Sequence, residues 1–141
     1  MPFQSQWLDE TEAKLPARLP PSFGSLYGRY AFPPFEVAGI WLFGNTPEGL
    51  EFSSHELRTG IFRDPLISKC LFKHGFIQFA RPAASNYDPI CFDTSRRFAD
   101  GEYGVIHLDH ESILCNSEIA TVAEPFPTFR AFLERVVGVK S

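Results

Sequence analysis

A single domain that mixes helices with a β-sheet is what this sequence predicts, and three observations carry the prediction. Between Tyr87 and Leu133, a strand-like YDPICFD leads through a charged turn, TSRRFADGEYG, to a second strand, VIHLDHE; a third, EIATVA, then runs into the capped helix TFRAFLERVV. Near the start, Phe23, Leu26, Tyr27 and Tyr30 recur at i, i+3, i+4 and i+7, an apolar stripe at helical period. Fifteen Phe among 141 residues supply a core, where a disordered chain would be poor in aromatics. One domain over residues 1–141 is the default at this length. Such a chain buries about 68–70% of the surface its unfolded form exposes, so neither a disulfide nor a metal is needed for stability.

The elements follow in order. A first helix is expected from about Gln4 to Lys14, stopped by Pro16. The second starts at LPPSF, where proline in the first turn loses only an N–H that had no partner. Gly24 and Gly28 each cost it about 1 kcal/mol relative to alanine, so it leans on tertiary packing. Pro33 and Pro34 end it, and FEVAGIWLFG is predicted as one strand buried on both faces, or alternatively exposed for self-association, before a turn at Gly44-Asn45. Ser53 and Glu56 have capping-box spacing for a short helix running toward Ile61. Asp64-Pro65 opens another helix with Leu66, Ile67, Cys70 and Leu71 on one face, closed by Gly75.

FIQFAR is the next strand and PAASNYDP a loop. In the C-terminal third, Ile90 and Phe92 share one strand face and Cys91 and Asp93 the other. Asp100-Gly101 is a turn signal, although TSRRFADGE is long for a simple hairpin. Thr128 is placed to cap a last helix with Phe129, Phe132, Leu133 and Val136 on its apolar face.

Charge is unevenly spread. Of the ten charged residues between Pro82 and Pro125, eight are acidic, which makes that stretch net −6 and the remainder net +2. A pI near 5.5 and the lack of a basic stripe argue against a nucleic-acid partner. MPFQSQWLDETEAK has neither the basic region nor the apolar run of a signal peptide, and no stretch approaches a membrane span; a cytoplasmic protein without membrane contact is expected. Cys70, Cys91 and Cys115 are odd in number and far apart, and each is expected to be a small buried hydrophobe. No GxSxG, Walker-type loop or GxGxxG is present, and no cofactor is implied.

LPPSFGSLYGRY, FIQFA, YDPICFD, GVIHLDHE and ATVAEPFPTFRAFLERVV together resemble the SUKH superfamily, specifically its Smi/Knr branch, over roughly residues 19–137. The likeness departs after the second helix, where AFPPFEVAG stands in place of the usual Asn-Gly-Gly-like turn. The resemblance implies an α+β domain with a mainly antiparallel sheet and helices packed against it. It also implies a non-enzymatic immunity protein, one that neutralises a cognate toxin by direct binding, the toxin often being a nuclease. A regulatory or scaffolding domain for another cellular partner is the alternative, since fungal members regulate cell-wall synthesis and signalling.

A nuclease must bind a polyanion, so an acidic surface would complement its basic cleft and be steered to it. On that reading the partner-binding residues are Asp88, Asp93, Asp100, Glu102, Tyr103, Asp109 and Glu111, and the bland alternative is a solvated face that keeps a Phe-rich domain soluble. Tyr87, Phe98 and Tyr103 are the aromatics beside that charge. His107, Asp109, His110 and Glu111 form the best metal-like group. On a strand only His107 and Asp109 share a face, and two ligands do not make a site, so no metal is expected and a metal-dependent hydrolase is a distant alternative.

Overall fold

The computed structural model describes residues 10–30, 35–37, 39–44, 65–83, 88–116 and 118–137. These residues form a six-stranded antiparallel sheet whose strands are neighbours in chain order, with helices packed on it. The elements are α1 (Pro21–Arg29), β1 (Phe35–Val37), β2 (Ile40–Leu42), α2 (Pro65–Lys73), β3 (Phe76–Pro82), β4 (Ile90–Arg97), β5 (Tyr103–Leu108), α3 (His110–Asn116), β6 (Thr121–Ala123) and α4 (Phe129–Val137). A helical turn at 10–12 is the described end of the expected first helix. The proposed Ser53–Glu56 capping box and Tyr87 lie outside the described residues.

Both faces of the sheet are covered. Along β4 and β5, Ile90, Phe92, Tyr103 and Val105 join one buried cluster with Phe23 and Tyr27 of α1 and Phe129 and Phe132 of α4. The intervening Cys91, Ile106 and Leu108 join a second with Cys70 and Leu71 of α2 and Ile113 of α3. This follows from the period-two alternation of strand side chains, and it places Ile90/Phe92 and Cys91 on opposite faces as the sequence predicts. It also explains why Phe76 to Arg81 of β3 are buried without interruption.

The first cluster is a lattice of rings. Phe23 stacks on Tyr27 at 3.9 Å and meets Phe92 and Phe129 edge-on at 5.1 and 5.0 Å; Phe79 stacks on Phe92 at 4.2 Å. Such pairs add about 0.5–1.5 kcal/mol each beyond area burial. The Tyr27 hydroxyl donates to the Phe43 carbonyl, so its one polar atom is satisfied in the core.

Four expectations need correction. FEVAGIWLFG is not one strand: the chain turns back at Gly39, whose φ of +82° suits a residue without Cβ, and β1 pairs with β2. β4 does not end at Asp93 but runs on to Arg97 through a register shift, which shortens the apparent nine-residue hairpin loop to a tight turn at 98–102. The VIHLDHE strand ends at Leu108 and a helix, α3, begins at His110. Finally, Cys115 on α3 is exposed, whereas Cys70 and Cys91 are buried as expected. At the helix edges Leu66 is 67% exposed and Tyr30 and Val136 also face outward, so three of the expected apolar-stripe positions are not core.

These placements predict contrasting truncations. Phe23→Ala should cost about 3–5 kcal/mol, because it empties the centre of the ring lattice. Leu66→Ala should stay within about 0.5 kcal/mol. Urea unfolding of the two variants checks the contrast, and a large loss at Leu66 would contradict the exposed placement.

Candidate functional site

The acidic stretch is divided between the two ends of the β4–β5 pair. At one end the chain passes β4 to β5 through Phe98–Glu102. Phe98 N–H donates to the Glu102 carbonyl (2.8 Å), Gly101 N–H to the Phe98 carbonyl (3.0 Å), and Glu102 N–H to Asp100 Oδ1 (3.1 Å). Gly101 has φ +86°, and a Cβ there would come within 3.2 Å of Pro21, so the turn fits closely against the start of α1. This turn aims the Glu102 side chain inward.

Glu102 is only 2% exposed. Its Oε2 accepts the Ser22 N–H at 2.9 Å, and its Oε1 accepts the Ser22 hydroxyl at 2.6 Å and the Arg130 N–H at 3.3 Å. One carboxylate therefore caps two helix N-termini, where unpartnered N–H groups and the helix dipole favour negative charge. Helix α1 needs this, because its N-cap is Pro20, which offers no side-chain acceptor. At α4, Thr128 Oγ1 accepts the Ala131 N–H at 3.1 Å, as the sequence predicts, and Glu102 adds to it.

Three of the seven expected contact residues are thus not surface groups. Glu102 is the buried cap. Asp93, 7% exposed, accepts the Ser95 N–H and hydroxyl (3.1 and 2.6 Å) where β4 shifts register. Tyr103, also 7% exposed, packs in the ring lattice, 6.4 Å from Phe92. The physical reason is strand geometry: with β4 extended to Arg97, Asp93 and Tyr103 fall within paired strands rather than in a solvated loop. What the tip does expose is Ser95 to Asp100, with Phe98 at 44%. Around it Arg96 pairs with Glu124, and Asp100 lies 3.7 Å from Arg130.

At the other end of the pair, Asp88 precedes β4 and draws three donors together. Its Oδ2 lies 2.9 Å from His107 Nε2, and its Oδ1 lies 2.5 Å from His110 Nδ1 and 3.0 Å from the His110 backbone nitrogen. Burial pushes the Asp88 carboxyl up, but the side-chain and backbone hydrogen bonds from His110, the bond from His107 and the charge of His107 together hold it below its ordinary range. An ionised carboxylate only accepts, so both imidazoles donate to it. Beside it, Asp109 accepts the Ser112 hydroxyl at 2.7 Å, and its own N–H donates to the Ala120 carbonyl. Asp109, standing just before α3, has Ser112 three residues on and Glu111 in the helix's first turn. That Asp-x-x-Ser spacing was the signal for a helix here. The sequence pairing of His107 with Asp109 on one strand face is replaced by a group centred on Asp88, about twenty residues upstream. Glu111 is exposed on α3.

Cys91 lies in the second buried cluster. It is fully buried, and burial followed by the charge of Asp93 pushes its thiol well above its ordinary value. No helix among the described residues is long and apolar enough to cross a membrane. No family model matches the chain, and no curated protein matches it significantly.

The Asp88 cluster makes a pH-dependent contribution to stability. Asp88→Asn removes the charge that two imidazoles and one backbone N–H share, and should cost about 1.5–3 kcal/mol at neutral pH. Because the folded-state value is depressed, this contribution is complete above the usual 3.8 and fades as pH falls through the lower folded value. Chemical unfolding of both proteins across that range should show the gap narrowing toward acid; a gap that widens would contradict the assignment.

Proposed function

We propose that this chain is a non-enzymatic protein-binding domain of the SUKH type, an immunity protein that blocks a cognate toxin by direct contact through the β4–β5 tip. The observation that carries the reading is Phe98. A large aromatic stands exposed on a turn held by its own backbone hydrogen bonds, in a segment that also exposes the charged Arg96, Arg97 and Asp100. A rigid aromatic anchor with a polar rim is the usual anatomy of a binding hot spot. It also loses little conformational freedom on binding, because the turn is already ordered.

Support also comes from the order of elements. A helix from LPPSF, strands through YDPICFD and GVIHL, and a short strand leading into the TFRAFL helix follow in that order, although β4 runs past Asp93 to Arg97 and the DHE residues open α3 instead of ending a strand. The charge argument changes in form. Asp88, Asp93, Glu102 and Asp109 are engaged inside the fold, so the stretch's exposed negative charge is that of Asp100 at the tip, Glu111 on α3, Glu118 after it, and Glu124, which is paired with Arg96. Tip contacts of mixed sign make binding less salt-dependent than a purely acidic plug would be.

Co-expression with toxin domains encoded in the same genome tests this. The protein should restore growth against one of them, and Phe98→Ala should weaken the complex by tenfold or more, about 1.4 kcal/mol or above. Asp100→Asn, which keeps the oxygen that accepts the Glu102 N–H and removes only the charge, should weaken it too, with thermal stability of both variants near wild type. Full affinity in both variants would remove the tip from the interface. Failure to bind any such toxin would favour the regulatory reading instead.

A further inference from the structure

We propose that Asp88, Asp109 and His110 form a binding site for one divalent transition-metal ion, with His107 holding Asp88 in position. A carboxylate oxygen from each aspartate and a ring nitrogen of His110 all lie within 4.8 Å of one another, and all three side chains are partly buried. The donors come from two segments fixed by backbone pairing. Leu108 N–H donates to the Pro89 carbonyl at 3.0 Å, Asp109 N–H to the Ala120 carbonyl at 2.9 Å, and the His110 N–H to Asp88 itself. The convergence is therefore built into the end of the sheet rather than left to flexible side chains.

The chemistry of the donor set selects the ion. Two carboxylates balance a dication, and an imidazole nitrogen favours zinc, iron(II), manganese(II) or nickel(II) over calcium and magnesium, which take oxygen ligands. Metal–ligand bonds of about 2.0–2.2 Å put neighbouring ligand atoms about 3.3 Å apart. Asp88 Oδ1 and His110 Nδ1 are now 2.5 Å apart with a proton between them. An ion takes the place of that proton, which moves through solvent to Nε2 if the ring is neutral and leaves to solvent only if the ring is protonated, so the ligand is a neutral imidazole, and the pair opens by less than 1 Å. The supports are those metal ligands need: His107 donates to the other oxygen of Asp88 (2.9 Å) and the Ser112 hydroxyl to Asp109 (2.7 Å). Three protein ligands leave room for water or a partner's oxygen. His107 and Glu111, the other members of the local HLDHE sequence, stay outside the ligand set. The proposal does not depend on the toxin-binding reading, since the site lies at the opposite end of the β4–β5 pair from Phe98.

The test uses untagged protein stripped with a chelator and dialysed, with zinc chloride as the probe. Calorimetry should give one ion per chain at micromolar affinity or tighter, and the melting temperature should rise with zinc. Asp109→Asn and His110→Ala should each lower affinity by tenfold or more, with circular dichroism reporting whether they fold. The wild type supplies a readout that survives misfolding of the variants. Zinc should move the ring-nitrogen resonances of His110 and, through Asp88, of His107, while His74 on the end of α2 stays put. Millimolar binding, unchanged affinity in folded variants, or shifts confined to His74 would each overturn the site.

Discussion

The fold turns on a single buried carboxylate. Glu102 joins the β4–β5 turn to the starts of both helices that cover the Phe-rich face, α1 from one end of the sequence and α4 from the other. Without it, α1 would begin at Pro20-Pro21 with no side-chain acceptor for its first N–H groups. Burying a carboxylate is expensive unless its charge is met, and here three donors and two helix dipoles meet it. The same contact sets the angle at which Phe23 and Phe129 enter the ring lattice, because each lies one residue from the amide that Glu102 holds. It also locks the turn that projects Phe98. Core packing and the exposed tip are thus two consequences of one interaction.

Much of this was legible in the sequence, for physical reasons. Helix stripes at α1 and α4 short of their last positions, Tyr30 and Val136, together with β3 and the facing pattern of β4, rest on periodicities of 3.6 and 2, and the Thr128 cap rests on its hydroxyl. The α+β class with a mainly antiparallel sheet is what the structure has. Other features were out of reach. Glu102 looked like one more loop carboxylate, because its partners Ser22 and Arg130 lie 80 and 28 residues away. Charge counting along the chain registers sign but not depth, and so it grouped buried Asp93 and Glu102 with exposed Asp100 and Glu111. The hairpin at Gly39 was hidden because a run of apolar residues bent back on itself still looks like a run. Helix α3 was hidden by the alternation of VIHLDHE, although Asp109 and Ser112 marked its start.

The corrected picture gives the two ends of the β4–β5 pair different work. One end is closed by Glu102 and shows the solvent an aromatic with charges of both signs. The other gathers two histidines about one aspartate, with a second aspartate beside them. Half of the acidic residues between Pro82 and Pro125 are architectural: Glu102, Asp93, Asp88 and Asp109 satisfy helix starts, a register shift, imidazole donors and a serine hydroxyl. On the proposed binding reading, recognition then rests on shape and on Phe98 more than on a diffuse electrostatic field, and the partly buried histidine–aspartate group is a separate chemical feature.

Amide hydrogen exchange at Ser22 and Arg130 tests the central role of Glu102 most directly. First-turn helix amides lack intrahelical partners and ordinarily exchange fast. If one buried carboxylate anchors both helices, these two amides exchange slowly in the wild type, and Glu102→Gln speeds both together. Rapid exchange at both sites in the wild type, or a substitution that leaves their protection unchanged, would show that the helices are held by packing alone.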